Sequence, residues 1–306
     1  MWGAEMNTRD MEYFIRLTEL KNFSKVAQEF KVSQPSITFA LQRLERELDA
    51  KLIIRHRAHS QLVVTDSGEQ LLRHAKRMLR HYQLIKMEIT DIKQKKLALG
   101  LPPIIENNYF PAVARVLKEK NLLSKIKTME YGSMRTLEAL RKGEVDLALL
   151  GSIDSLSDED IITEEFDRQT FSIFVSRKHE LAVKKDVYFS DLKKEDFVMF
   201  KNGFVHNQAI NTLAKRNHFR PHVVFRSNGT HSLMNLIADG VGIGFLTSVI
   251  TPMRNDIVKV DLLDKDMPQF VTSIAYRHAY FFNDLQSEIL NNIRKTLFKN
   301  NDNNKS

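Results

Sequence analysis

Ser33-Gln34-Pro35-Ser36, followed by Thr38, Phe39, Gln42 and Arg43, bring amide, hydroxyl and guanidinium groups together in a short stretch. A primary amide offers a donor and an acceptor side by side, the pair an adenine edge requires, and a hydroxyl serves either a base or a phosphate. Arg55 and Arg57, with His56 and His59 between and after them, suit a phosphate backbone or a minor groove. If residues 34–48 form a helix, Gln34, Pro35, Ser36, Thr38, Phe39 and Gln42 lie on its outward side and Arg43 lies further along, toward a phosphate. Phe39 has two open fates: contact with a thymine methyl, or inward packing. Any one of these residues alone would pass as solvated surface. Their grouping on one face favours contact with duplex DNA.

The elements that would position them are legible from periodicity. Residues 8–20, 23–30 and 34–48 read as three short helices, with Met11, Phe14, Ile15 and Thr18 on one face of the first. Asn22 or Ser24 can cap the second. Ser33 suits the N-cap of the third, and Pro35 its first turn, where no N–H donor is needed. Ile37, Leu41, Leu44 and Leu48 make that helix's buried stripe. Leu52–Ile54 and Gln61–Val64 read as a short hairpin, so the first 66 residues fit a winged helix-turn-helix. A long helix follows, capped by Thr65 or Ser67. Leu71, Ala75, Met78, Tyr82, Ile85, Ile89 and Ile92 recur in it at alternating spacings of four and three, a dimerising stripe. A core helix would show a similar stripe, but basic residues crowd the other faces here.

From Leu97 the texture becomes α/β. Apolar runs at 97–101, 126–131 and 145–150 alternate with helical patterns at 109–121 and 133–142. A second set runs through 171–176, 197–200, helix 206–217, 223–226, helix 230–238 and 243–246. The chain then returns with 272–276 and a helix at 282–298. This predicts a winged helix-turn-helix at residues 6–66, a linker helix at 67–96 and a two-lobed α/β region at 97–300. Lobe I would take about 97–170 and 271–300, lobe II about 171–270. The polar stretch 300–306 reads as disordered, and residues 1–5 as a leader ahead of a native start at Met6.

Composition narrows the function classes. The 306 residues are 42% hydrophobic and 27% charged with a net charge of +8, as in a globular protein. Residues 1–66 carry ten Lys/Arg against nine Asp/Glu, and residues 67–96 eight against three, so the basic excess sits mainly on the linker helix. A basic N-terminal third favours a polyanion. With no cysteine there can be no disulfide, thiolate metal site or thiol redox sensor. No secretory signal or membrane span is evident, which makes a cytoplasmic location the expectation. The ten histidines form no H-E-x-x-H, and neither G-x-S-x-G nor a phosphate-binding P-loop occurs. Catalytic residues, metal ligands and cofactors are therefore not expected.

Taken in order, Ala27, Ser33-Gln34-Pro35-Ser36, Leu44-Glu45, Leu52-Ile53-Ile54-Arg55 and Thr65-x-x-Gly68 resemble the N-terminal signature of LysR-type transcriptional regulators. Gly143-Glu144-Val145-Asp146-Leu147-Ala148 and Gly240–Leu246 resemble elements of that family's effector region. The resemblance covers nearly the whole chain. It implies a periplasmic-binding-protein-like effector domain, a homodimer or homotetramer, and promoter DNA with an interrupted palindrome. RNA polymerase is a further implied partner. The start of the chain and Leu101–Ile105 are similar to malolactic fermentation activators of lactic acid bacteria, which implies L-malate as the small-molecule effector. Many family members carry a basic residue where this chain has Phe39, so an arginine-to-guanine contact is not expected there.

An effector site in such an architecture would use strand-to-helix loops, whose helix N-termini offer free N–H groups to an anion. The candidates are Asn107 and Asn108 entering helix 109–121, Ser133, Ser152, Lys201, Phe204, His206, Asn228 and Thr230. Lys201 and His206 could meet a carboxylate by charge, and Arg226 too if it points inward. Ser133 and Thr230 would equally serve as N-caps, and Asn228 as a turn residue. Two other function classes would use parts of this architecture: a solute-binding protein with an accessory head, which would need export, and a nucleoid protein without effector control. A regulator of another pathway with a non-carboxylate effector is the alternative within the family.

Overall fold

The computed structural model describes residues 6–55, 62–91, 96–252 and 254–303. The expectations for His56, Arg57, His59, Ile92 and the leader lie outside the described residues, as does the Arg55 side chain. The chain divides near residue 90 into two compact units.

The first unit opens with α1 (Thr8–Leu20), which starts where the Asn7 side chain accepts the Asp10 N–H at 2.9 Å. It ends at Lys21 in the left-handed region. Next, α2 (Phe23–Glu29) is capped by Asn22, and α3 (Gln34–Glu47) by Ser33. Phe14 and Leu17 of α1, Val26 of α2 and Ile37, Ala40 and Leu44 of α3 are almost fully buried in one core. The wing pairs β1 (Ile53–Arg55) with β2 (Leu62–Val64) antiparallel. From there α4 runs from Asp66 to Asp91.

The stripe on α4 divides into two parts. Leu71 and Ala75 are buried in the core of the head, so they are not available to a second subunit as the spacing predicts. Met78 (49% exposed), Tyr82 (39%), Ile85 (53%) and Ile89 (59%) remain open. One apolar repeat thus does two jobs: its first turns close the head and its later turns stay uncovered.

The second unit holds two sheets. The first contains β3 (Leu97–Gly100), β4 (Ile126–Met129), β5 (Leu147–Ser152), β6 (Ile161–Gln169) and β13 (Phe270–Arg277), in the order β4-β3-β5-β13-β6. The helices of this lobe are α5 (Pro103–Asn108), α6 (Phe110–Glu119), α7 (Ser133–Arg141) and α10 (Asp284–Asn303). The other sheet takes β7 (Phe171–Ser176), β8 (Asp186–Val187), β9 (Asp196–Phe200), β10 (His222–Ser227), β11 (Ile243–Thr247) and β12 (Ile257–Leu262). Its order is β10-β9-β11-β7-β12-β8, with α8 (Val205–Arg216) and α9 (Thr230–Ala238) packed on it. The chain leaves the first sheet at Gln169, enters the second at Phe171 and returns between Leu262 and Phe270, so two crossings join the lobes.

Asp146 and Arg277 explain the Gly143–Ala148 motif. Gly143 turns the chain with φ of 75°. The Asp146 carboxylate then accepts the Ala98 N–H at 2.9 Å, tying β5 to β3. Buried Arg277 donates to the carbonyls of Leu140 and Val145 at 2.8 and 2.6 Å, holding the end of α7 against β13.

Three local expectations are corrected. A six-residue helix, α5, occupies 103–108 where a loop is predicted, so Asn107 and Asn108 close that helix as well as leading into α6 at Phe110. Asn108 donates to the Ile104 carbonyl at 2.7 Å. The last helix continues to Asn303 into the stretch read as disordered. Strands β6, β8 and β12 are unforeseen.

Candidate functional site

The outward side of α3 is built from its first turn. Ser33 accepts the Ser36 N–H at 3.4 Å, and the two hydroxyls lie 2.8 Å apart. One turn on, the Gln34 amide donates to Thr38 Oγ1 at 3.3 Å while that hydroxyl donates to the Gln34 carbonyl, also at 3.3 Å. The remaining amide N–H and the amide oxygen of Gln34 face water, a donor–acceptor pair steadied from behind. Pro35 and Gln42 are exposed. Phe39 is 57% exposed, which settles its two open fates in favour of outward.

Arg43 does not join them. Its guanidinium donates to both carboxylate oxygens of Asp10, the Nε bond being 2.8 Å. Asp10 is 1% exposed, so this fork satisfies a buried charge and clamps α1 to α3. The phosphate role predicted for Arg43 gives way to an internal one, because a buried carboxylate needs its cation more than solvent does.

The wing is fixed by residues of the signature. Glu45 accepts the Leu52 N–H at 3.0 Å and Lys51 Nζ at 2.7 Å, aligning the start of β1. Thr65 donates to the Lys51 carbonyl at 2.6 Å and accepts the Gly68 N–H at 3.0 Å, capping α4 as expected. A Cβ on Gly68 would lie 2.3 Å from the Leu52 carbonyl oxygen. Only glycine lets α4 start this close to the wing.

In the second unit a small, partly open cavity lies where the two lobes face each other. Pro102, Pro103, Ile104, Ile105, Ser133 and Phe270 line it from one sheet and its helices, Phe204, Val205 and His206 from the other. Its space is about 10 Å³, room for roughly one water. The lobes are close here: a Cβ on Gly132 would meet the Gly203 carbonyl oxygen at 2.9 Å. Helices α7 and α8 both begin at this cavity. The Asn207 N–H of α8 is taken by the Phe204 carbonyl at 3.1 Å, while the N–H groups of the first two residues of each helix come too early for an i−4 carbonyl of their own helix. Ser133 Oγ accepts the Gly151 N–H at 3.0 Å, which leaves its O–H free to donate. Gly132, not Ser133, is the cap of α7.

His206 lies 1% exposed among Phe171, Phe200 and Phe270, with ring-centre distances of 5.4, 4.8 and 5.9 Å. Its Nε2 accepts the Thr247 N–H at 3.2 Å. Burial alone pulls its pKa down to about 3, because a charged imidazolium is costly where no water reaches. The charge-based role predicted for His206 is therefore corrected to a neutral one.

Of the predicted effector residues, the structure brings together Ser133, Phe204 and His206. Asn107, Asn108, Ser152, Lys201, Asn228 and Thr230 do not line the cavity. The Ser152 hydroxyl is bound to the Asp154 carbonyl at 2.6 Å. Lys201 and Asn228 are exposed, and Thr230 starts α9 behind its cap Gly229. Arg226 holds the Phe200 carbonyl and Asn207 at 3.0 and 2.8 Å. Pro102, Pro103, Ile104, Ile105, Val205 and Phe270 were not foreseen; the double proline, which opens α5 directly after β3, is the one sequence signal that could have drawn attention to this spot. A larger groove of about 710 Å³ follows α8 and β10, but it is an open trough away from the lobe junction.

A family description for bacterial regulatory helix-turn-helix proteins of the lysR family matches residues 8–69, and one for the LysR substrate binding domain matches residues 91–290. The malolactic fermentation system transcriptional activator of Lactococcus lactis is 29% identical over 293 residues, 95% of this chain and 99% of that protein. A hydrogen peroxide-inducible genes activator of Haemophilus influenzae is 27% identical, covering 79% of this chain and 80% of that protein. Among solved structures, a mutant OxyR of Corynebacterium glutamicum aligns with a TM-score of 0.56 at 20% identity, over 97% of this chain and 93% of that one. The effector binding domain of QuiR in complex with shikimate aligns with a TM-score of 0.58 at 12% identity, over 67% of this chain and 97% of that one.

Proposed function

The chain belongs to the LysR family of bacterial transcriptional regulators, and on that premise we propose that it reads promoter DNA through α3 under the control of a small carboxylate, L-malate being the first candidate. The observation that carries the DNA half is the Gln34–Thr38 pair on the exposed side of a helix otherwise locked into the head. Ser33, Pro35, Ser36, Phe39 and Gln42 complete that face, and the wing arginines Arg55 and Arg57 follow the backbone. Residues 6–66 serve as the reading head, 67–96 as the linker and 97–300 as the effector region. Met78, Tyr82, Ile85 and Ile89 form the dimer seam, because an apolar stripe left open on a helix calls for a second helix.

The effector half rests on the cavity lining. It holds no Asp, Glu, Lys or Arg, and the Ser133 O–H and the starts of α7 and α8 offer donors beside it. Donors with no carboxylate in the lining suit an acceptor-only group, which a carboxylate is. The likeness to the Lactococcus lactis activator supports malate within that class. A thiol peroxide sensor is excluded, since the sequence has no cysteine. No helix among the described residues is long and apolar enough to cross a membrane, and the DNA it would bind places its work in the cytoplasm.

Ligand control works by differential affinity. The space as it stands holds about one water, so a ligand of malate's size enters only with the lobes further apart. It thereby favours one lobe spacing over another, and only that difference can shift DNA binding. Calorimetry of the full-length protein with L-malate, D-malate, succinate and a neutral diol tests this. Saturable heat with L-malate and none with the diol is expected. Heat with none of the acids would overturn the carboxylate reading.

A further inference from the structure

We propose that His206 is a specificity residue of the inter-lobe cavity, presenting Nδ1–H as a lone donor to a carboxylate oxygen of the ligand. This rests on the carboxylate reading of that cavity and deepens it.

The tautomer follows from one contact. Nε2 accepts the Thr247 backbone N–H, so it carries no proton. A neutral imidazole must then hold its proton on Nδ1. The ring has no charged side chain among its closest neighbours, which are phenylalanines, and burial holds its pKa near 3. It therefore stays neutral through the physiological range.

Nδ1 is itself buried and has no hydrogen-bond partner among the described residues. Such orphaned donors are uncommon, and each costs desolvation that an incoming acceptor would repay. His206 lines the same cavity as Ser133. In this proposal the imidazole Nδ1–H, the Ser133 O–H and the N–H groups that open α7 and α8 address one small space from both lobes. A ligand that accepts from His206 and Ser133 together bridges the lobes. One that lacks a second acceptor oxygen satisfies only one side.

A consequence separates this arrangement from an ion pair. A neutral donor does not strengthen as pH falls through the ordinary histidine range, so ligand affinity should not gain a histidine titration near pH 6.5. The other groups facing the ring are the Thr247 amide and three phenyl rings, none of which titrates there.

The test uses full-length protein labelled with ¹⁵N-histidine, and the His206 signals are assigned by their loss in His206→Phe. Long-range ¹H–¹⁵N correlation should give the neutral Nδ1–H form from pH 5 to 8. Saturating L-malate should move the Nδ1–H signal. By calorimetry His206→Phe should bind L-malate about tenfold or more weakly, the scale of one hydrogen bond to a charged group. His206→Asn, whose amide can place an N–H near the Nδ1 position, should recover part of that loss. Circular dichroism confirms that each variant is folded. If L-malate binds wild type but the signal stays put, or His206→Phe binds equally well, the proposal is overturned while the carboxylate reading stands. A proton on Nε2, or an imidazolium at pH 6, overturns it without reference to any ligand. If neither L-malate nor succinate binds wild type, the carboxylate reading fails and takes this inference with it.

Discussion

Replacing Arg43 by methionine separates two physical roles that the sequence could not tell apart. The side chain of Arg43 is 29% exposed and that of its partner Asp10 only 1%. Removing the cation leaves a buried carboxylate without compensation, a change that typically costs about 3–5 kcal/mol. Because the arginine lies partly in water, the lower end applies, about 3 kcal/mol. That corresponds to roughly a hundredfold loss of amide protection in α1 and α3, measured by native-state hydrogen exchange. The double variant Asp10→Leu with Arg43→Met removes both charges and should return to within about 1 kcal/mol of the starting protein. DNA binding gives the second readout. A phosphate contact would lower the slope of log K against log salt by about one, whereas a clamp leaves the slope unchanged once binding is corrected for the folded fraction. Full protection in Arg43→Met together with a reduced slope would refute the clamp and restore the phosphate role.

Further expectations concern other parts of the chain. Gln34→Ala should narrow the affinity gap between operator and scrambled duplex by about tenfold or more, leaving the salt slope intact, as read by fluorescence anisotropy. Ile85→Glu with Ile89→Glu places charges on the open part of α4, and analytical ultracentrifugation should find the dimer dissociated at micromolar concentration. Gly68→Val drives a side chain into the Leu52 carbonyl and should destabilise the head by more than about 2 kcal/mol in chemical denaturation. The depressed pKa of His206 makes folding lose stability as pH falls below about 6.5, where the unfolded chain takes up a proton that the folded one refuses until about pH 3. The sign is thus positive with rising pH, about 1.4 kcal/mol per pH unit in that window. His206→Phe should flatten this part of the stability profile, and an unchanged profile would show that His206 is not the group responsible.

Much of the fold was legible because its signals are local. Asn22, Ser33 and Thr65 are caps where caps are expected, and Ile37, Leu41 and Leu44 give α3 its buried stripe. The runs 147–152, 171–176 and 243–247 are buried along their whole length and mostly apolar, hard to mistake for surface, although the sheets they enter mix parallel and antiparallel pairs where the α/β order alone predicts a mainly parallel one. Strand β6 escaped because most of Ile161–Gln169 is only half-buried and carries Glu164, Glu165, Asp167 and Arg168. Strand β12 escaped for a related reason, having only Ile257 and Val260 fully buried. The α4 stripe misled in part, since periodicity reports an apolar face and not what covers it.

The candidate site was less legible. Arg43 and His206 were read from side-chain chemistry, yet their states are decided by residues far away in sequence, Asp10 and Thr247. Phe39 could only be resolved by exposure. Pro102–Ile105 and Phe270 enter the cavity because β3 ends and β13 begins beside it, a fact of topology that no residue type announces. Lys201 looked like a carboxylate partner for its charge, but it lies exposed outside the cavity, while uncharged groups line it.

The most direct measurement is a competition titration at about 150 mM salt, with labelled promoter DNA displaced by unlabelled promoter or by shuffled duplex of equal length. The account predicts that the native sequence competes at least about a thousandfold better than the shuffled one, the lower bound for specific recognition, and that L-malate shifts this ratio. Equal competition by the two duplexes would contradict it.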